Sequence, residues 1–372
     1  MEFFINEKIL SEAVADVAAV ISQKSTLFIL KGIKIEASED GVRLTGSNSD
    51  LIVEKQIPAE KTALEVIHPG TCVLPGSYFQ ELVKKLPGNV HMKKGSESCV
   101  TIHAGDVKTT LSVLSEGEYP RLPELDAGDD FSINGARFLS MIRETMFAVA
   151  TDGNRPILTG VHLSFSGGTA QAVATNSQRL AMVKQDIDIE TENSCTVPKT
   201  ALKQMLKLFR SSKQTVRIWF TDHYIQVKSS GTSITSRLLD GRYPNVADLI
   251  PNETKTVIIV DRLRLMEAVD RAGLFATEWR NHNVHLKFIE GNRLRISSYT
   301  PQIGNIEEVI RVNKCSGDDL VDVYVDGTFL LDALKVIHGK KVDIRFHDFM
   351  KPMVIQGEGD ESQVHLISPV RA

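Results

Sequence analysis

Four basic residues, Lys199, Lys203, Lys207 and Arg210, recur at three- and four-residue steps within Thr196–Lys213. On a helix such steps share one face, and no acidic residue interrupts them in this stretch. A cationic stripe of this kind suits a polyanion, because it attracts phosphates without reading a base. Leu202, Met205, Leu206 and Phe209 form a neighbouring apolar stripe, the spacing of a helix with one face in a core. Pro198 suits the first helical turn, where the N–H it lacks would go unpaired. A solvated amphipathic helix has the same pattern, so the stripe alone does not fix its use.

Residues suited to making and breaking bonds are scattered. No phosphate-binding glycine loop ending in Gly-Lys-Ser/Thr occurs. His282 and His285 have ligand-like spacing, but no Cys or acidic pair nearby completes a metal set. His347-Asp348 and Asp129-Asp130 read as surface or linker residues. No catalytic residue, cofactor or metal is therefore expected. The runner-up class is a DNA-processing enzyme that gathers distant carboxylates around Mg²⁺. A third is a structural repeat protein that does not touch DNA.

The elements that must position the basic stripe repeat along the chain. Residues 2–5 read as a strand, and Asn6 caps a helix through Leu10, Val14, Val17 and Val20. Asn134 stands between Phe131-Ser132-Ile133 and a helix through Phe138, Ile142 and Met146. Asp261 stands between Ile258-Ile259-Val260 and a helix through Leu265, Val269 and Leu274. These caps recur at intervals of roughly 125 residues, which is domain-sized repetition. A second helix follows in each third: through Phe79, Leu82, Val83 and Leu86; then the basic stretch; then through Phe329, Leu330, Leu334 and Ile337. Alternating strands such as Val216–Phe220 and Val342–Phe346 lie around them. Each third is thus an α+β unit of two helices among antiparallel strands. Acidic linkers place the domains at 1–126, 127–252 and 253–372.

Composition bounds these readings. The 372 residues suit two or three domains at ~150 residues each. Hydrophobic residues make up 42% and charged residues 24%, and mean hydropathy is -0.09, so a soluble globular protein is expected. No apolar run approaches the ~20 residues of a membrane span. The N-terminus, with acidic Glu2, lacks a secretory pattern, and Cys72, Cys99, Cys195 and Cys315 lack metal-type spacing. A cytoplasmic protein with reduced thiols is expected. Net charge is -4, so any surface that binds nucleic acid must hold segregated positive charge. The helices carry such charge at Lys8, Lys84, Lys85, Arg137, Arg143, Arg262, Arg264, Arg271 and Lys335.

A set of motifs runs through the chain in order: Thr26–Leu30, Val73–Phe79, Gly117–Pro123, Asn154–Gly160, Ala174–Ala181, Leu239–Pro244 and Ser368–Arg371. Together they resemble the bacterial sliding clamp, the beta subunit of DNA polymerase III, over essentially the whole length. The resemblance implies a head-to-tail homodimeric ring of six similar domains, with helices lining a hole for double-stranded DNA. It implies DNA contacts at Lys24 and around Lys199, including Lys203, Lys207 and Arg210. Ser77, Asp152 and Pro156 stand at family contact positions without the usual basic or aromatic groups. At the subunit joint it implies Leu274 and Phe275 facing Tyr78 and Leu111.

The resemblance also implies a pocket for a short apolar peptide motif. Its residues here are Leu158, Thr175, Ser177, Arg179, Leu180, Pro244, Leu249, Met353, Leu366, Pro369, Val370 and Arg371. The partners implied are the DNA polymerase III alpha subunit, an ATP-dependent clamp loader and other proteins with clamp-binding motifs. Gln178, Asp248 and Ser368 depart from the family pattern at the rim, which suggests a specialised second-copy clamp with altered partner preference.

Overall fold

The repeated order of strand, capping residue and helix governs the folded chain. A computed structural model describes every residue except 23, 61–62, 96–97, 116, 118, 121–128, 189–191, 210–214, 252, 277–282, 318–320, 348–350 and 371–372. Its principal helices are α1 (Glu7–Ala18), α2 (Gly76–Val83), α3 (Gly135–Thr145), α4 (Lys199–Leu208), α5 (Arg262–Gly273) and α6 (Gly327–Val336). Each directly follows a strand. Asn6 Oδ1 accepts from Lys8 N at 3.0 Å, and Asp261 Oδ1 accepts from Arg264 N at 2.9 Å. Asp326 Oδ1 takes Thr328 N at 2.8 Å and Phe329 N at 3.3 Å. Each cap satisfies an N–H that the first turn would leave unpaired, a contribution of about 1 kcal/mol.

The helix ends differ from the sequence expectations in small, explicable ways. Pro198 closes the strand Asn193–Pro198, and α4 begins one residue later. Pro198 pairs with Gly160 at the last rung of its ladder, a position that tolerates a residue without an N–H. Val20, Leu86, Phe209 and Ile337 lie past the ends of their helices yet are buried. Burial continues into the turn after these helices, but not after α5, where Leu274, expected on the apolar stripe, follows the last helical residue and is 74% exposed.

The chain forms two compact units. The first comprises Met1–Ala136 and Thr200–Leu238. One of its sheets runs, in spatial order, Leu64–His68, Glu2–Asn6, Asn89–Lys94, Cys99–Ala104 and Val107–Ser112. Its eight-stranded sheet joins Thr232–Arg237 to Leu51–Pro58, with Ile234 opposite Val53. Lys55 Nζ donates to Thr232 Oγ1 at 2.8 Å across that seam. The second unit comprises Arg137–Lys199 and Leu239–Ala372. Its twelve strands include Arg179–Asp186 against Gln363–Ile367, with Leu180 opposite Leu366. In each unit the sheet is therefore continuous between sequence-distant thirds, which covers edges that would otherwise stay open.

Helices pack closely on these sheets. In the first unit α1 buries Leu10, Ala13, Val14 and Val17. A Cβ added at Gly46, on the strand Gly41–Ser47, would lie 2.1 Å from the Val17 carbonyl oxygen. Helix backbone meets strand backbone there, so a glycine is required. Gly46→Ala is expected to destabilise the first unit by about 1–3 kcal/mol, seen as an earlier urea transition. In the second unit Leu265, Val269, Leu286, Ile296, Leu330 and Ile344 share one core.

Candidate functional site

Two members of the expected basic stripe, Lys203 and Lys207, share an exposed face of α4. Ala201, Leu202 and Met205 hold α4 against the core, which leaves Lys203 and Lys207 exposed one turn apart. Lys199 opens the helix and is half-buried. Arg210 lies outside the described residues. Gln204 Nε2 donates to the Ala19 carbonyl at 3.3 Å, tying α4 to the end of α1. Lys24 stands exposed in the turn beyond α1. Lys8, Lys84, Arg143 and Arg264 are also exposed.

Not every basic residue on the helices offers charge outward. Arg262 donates to the carbonyls of Leu334 at 2.8 Å and Gly339 at 2.9 Å. It thereby satisfies acceptors at the end of α6. Arg271 holds Glu308 through two bonds of 2.8 and 2.7 Å. That guanidinium keeps the Glu308 carboxyl below its ordinary range. These two side chains do structural work that sequence spacing could not distinguish from free charge.

The candidates for chemistry do not assemble. His285 lies on the strand Asn283–Ile289, stacked on Tyr324 at 4.2 Å, with Nε2 2.6 Å from Asp322 Oδ1. Lys287 and then His285 hold the Asp322 carboxyl below its ordinary range. His282, Asp348 and the Asp129 side chain lie outside what is described. Asp130 is engaged by Arg217, and His347 Nδ1 meets the Glu253 carbonyl. Among the described residues no group of three or more His, Cys, Asp or Glu could hold a metal. Among them, too, no helix is long and apolar enough to cross a membrane.

Of the residues that the resemblance assigns to a peptide pocket, three lie together in the second unit. Leu158, Leu180 and Leu366 share a buried cluster with Tyr243, Val246 and Val354. Met353 is buried in the adjoining core. Above them Pro244 and Leu249 are exposed, and Pro369 and Val370 are half-buried. Leu158 and Leu180 are 2% and 3% exposed while Leu249 is 49% exposed. The first two are thus core, and Leu249 is open to solvent. Arg371 lies outside the described residues.

A tight turn frames this pocket. The strands Thr169–Thr175 and Arg179–Asp186 are joined by Asn176, Ser177 and Gln178. Thr175 Oγ1 donates to the Arg179 carbonyl at 2.7 Å, and Asn176 Oδ1 accepts from Arg179 N at 2.9 Å. Ser177 takes a φ of 75°, in the left-handed region that few residues other than Gly, Asn and Asp visit. At the rim Ser368 N donates to the Gln178 carbonyl at 2.9 Å. Asp248 Oδ2 accepts from Asn245 Nδ2, also at 2.9 Å. Sequence reasoning missed Phe147, Phe329 and Asp332, which contact Arg179 from distant parts of the chain. No local pattern signals them.

The residues assigned to a subunit joint are exposed or half-exposed. In the first unit Tyr78 is 73% exposed. Leu111 is half-buried on Val107–Ser112, the last strand of its sheet. In the second unit Leu274 is 74% exposed and Phe275 half-buried. The strand Gly304–Gly317 pairs with Arg293–Thr300 over its first half, and with Thr256–Val260 only from Val312 onward. Among the described residues, one side of its segment around Glu307 and Val309 has no strand partner.

Comparison with known proteins gives these surfaces a setting. Residues 1–123, 132–245 and 247–371 match in turn the N-terminal, central and C-terminal domain models of the DNA polymerase III beta subunit. The chain is 37% identical over 377 residues to the beta sliding clamp of Bacillus subtilis, covering 100% of both chains. It is 33% identical to that of Staphylococcus epidermidis, covering 100% of this chain and 99% of the relative. The crystal structure of the DNA polymerase sliding clamp from Bacillus subtilis superposes with a TM-score of 0.97 at 36% identity, covering 100% and 99% of the chains. The DNA polymerase III beta chain from Streptococcus pneumoniae superposes with a TM-score of 0.95 at 29% identity, covering both chains fully.

Proposed function

The chain belongs to the DNA polymerase III beta-subunit family, the bacterial sliding clamps, and we propose that it works as one by enclosing duplex DNA in a ring of two copies. It is a non-enzymatic processivity factor. The whole-length match, through three consecutive clamp domains, carries this reading. We assign the domains to 1–126, 127–252 and 253–372, in keeping with the matched intervals.

The homodimer closes where each copy has something left uncovered. The open edge Val107–Ser112 of one protomer pairs with the segment around Glu307 and Val309 of its partner. Leu274 and Phe275 cover Tyr78 and Leu111 at the same joint. Exposed Lys108 on one edge complements exposed Glu307 on the other. Two head-to-tail joints close the ring, and each pairs the open Val107–Ser112 edge.

Inside the ring, Lys24, Lys199, Lys203, Lys207 and Arg210 attract phosphates. Contacts of this kind are weak and blind to sequence. Retention comes from topology, so weak contacts permit sliding where base readout would create sticking points. The net charge of -4 keeps the remaining surface from competing for DNA. Lys203→Ala/Lys207→Ala is expected to weaken duplex binding and flatten its log–log salt dependence by about 2. Fluorescence anisotropy across a salt series measures both.

The pocket takes an extended apolar peptide from the DNA polymerase III alpha subunit, the clamp loader and other proteins with clamp-binding motifs. Loading uses the loader's ATP, and the chain acts in the cytoplasm. Exposed Asp248 beside exposed Leu249 favours a second reading of the same class, a specialised second-copy clamp with altered partner preference. Equal peptide affinity in this protein and the Bacillus subtilis clamp would remove it. The main reading is tested by loading the protein onto a nicked circular plasmid with clamp loader and ATP. Co-elution with the circle should be lost when the plasmid is linearised. Equal retention on both forms would overturn the topological mechanism.

A further inference from the structure

The peptide pocket depends on a residue outside it. Arg179 is the only member of the Thr175–Leu180 segment with a long cationic side chain, and that side chain turns inward. Its guanidinium lies 4.3 Å from the centre of the Phe329 ring and 5.3 Å from that of Phe147. Nη2 donates to the Phe147 carbonyl at 2.6 Å, and Nη1 donates to Asp332 Oδ2 at 2.8 Å. Nε is buried and has no acceptor among the described residues. The Arg179 side chain is 12% exposed and that of Asp332 36%. Among the described residues Asp332 is therefore the one carboxylate bonded to this sheltered charge, and its place on α6 fixes where the charge can sit.

The backbone of the same arginine closes the turn. Its carbonyl accepts from Thr175 Oγ1 and its N–H binds Asn176 Oδ1. The turn holds Ser177 at positive φ, a conformation that persists only where its surroundings enforce it. Asp332, Arg179 and the turn thus form one connected chain of bonds from α6 to the pocket rim. We propose that Asp332 is a positioning residue for peptide binding, acting through Arg179 to hold the 175–180 turn in its receptive shape. Asp332 touches no peptide itself. A preformed pocket spares the ligand the loss of affinity that comes with ordering a loose turn.

This inference rests on the peptide-pocket reading, and the test separates the two. The probe is a fluorescein-labelled peptide bearing the apolar clamp-binding motif of a DNA polymerase III alpha subunit. It is titrated into the full-length wild type, Asp332→Asn, Asp332→Glu, Arg179→Lys and the Asp332→Asn/Arg179→Lys double variant. Asp332→Asn keeps an acceptor oxygen and loses the charge. It is expected to bind about tenfold more weakly, with Asp332→Glu recovering most of the loss. The double variant should bind no more weakly than Arg179→Lys, because coupled residues are not additive. Retention of the thermal transition in each variant shows that the loss is not unfolding. Unchanged affinity in Asp332→Asn, or fully additive losses in the double variant, would overturn the positioning role while leaving the pocket in place. Failure of the wild type to bind the peptide would remove the pocket reading and this inference with it.

Discussion

Leu274→Asp is expected to convert the dimeric ring into folded monomers that no longer stay on circular DNA. Leu274 follows α5 and is 74% exposed in the single chain. Its replacement therefore removes no core contact within the protomer, and the fold should survive. In the proposed dimer the same side chain would meet Tyr78 and Leu111 of the other copy. A carboxylate placed there is desolvated without a partner, at a cost of about 3–5 kcal/mol for a buried unpaired charge. Separating a two-joint ring breaks both joints, so the penalty counts twice. Even about 3 kcal/mol at each joint would raise the dissociation constant by roughly four powers of ten. Sedimentation velocity over nanomolar to micromolar protein should show twice the monomer mass for wild type and the monomer mass for the variant. An unshifted far-UV spectrum confirms that the variant is folded. A variant that stays dimeric across that range would mean that the joint lies elsewhere.

How much of this was legible in the sequence depended on the range of the interactions. The caps at Asn6 and Asp261 bond to N–H groups two and three residues ahead, so local spacing exposed them. The apolar stripes of α1 and α4 were legible for the same reason. The division of the chain was less so. The central third gives one sheet to each compact unit, because Thr232–Arg237 pairs with Leu51–Pro58 and Arg179–Asp186 with Gln363–Ile367. Those seams join strands more than 175 positions apart, and alternation alone does not say which strand lies beside which. Charge was the most ambiguous signal. Lys203 and Arg271 look alike as exposed helix residues, yet Arg271 is held by Glu308. The proposed pocket was assigned by resemblance rather than by pattern, since Leu158 and Leu180 read equally well as core. Asp332, 153 positions from Arg179, had no local mark at all.

Acid is expected to weaken the second unit through one histidine. His365 is 1% exposed on the strand Gln363–Ile367, paired with Ala181 on one side and Ile355 on the other. Its ring lies 5.6 Å from that of Phe147, and neither ring nitrogen has a hydrogen-bond partner among the described residues. An imidazolium there would lose its water with nothing in exchange, so burial lowers the histidine from 6.5 to about 3. The unfolded chain takes up the proton near 6.5, whereas the folded chain resists it down to about 3. The contribution of neutral His365 is therefore complete above pH 6.5 and is lost progressively as pH falls toward 3. At pH 5 that loss amounts to about 2 kcal/mol. His365→Leu has no proton to take up, and its urea transition should move correspondingly less between pH 7.5 and pH 5. Equal shifts in the two proteins would show that the acid sensitivity lies in other groups. Phe147 links His365 to Arg179, and Leu366, the next residue, lies in the buried cluster proposed as the pocket floor. Peptide affinity of the folded protein is expected to hold between pH 7.5 and pH 5, because the folded chain keeps His365 neutral down to about 3.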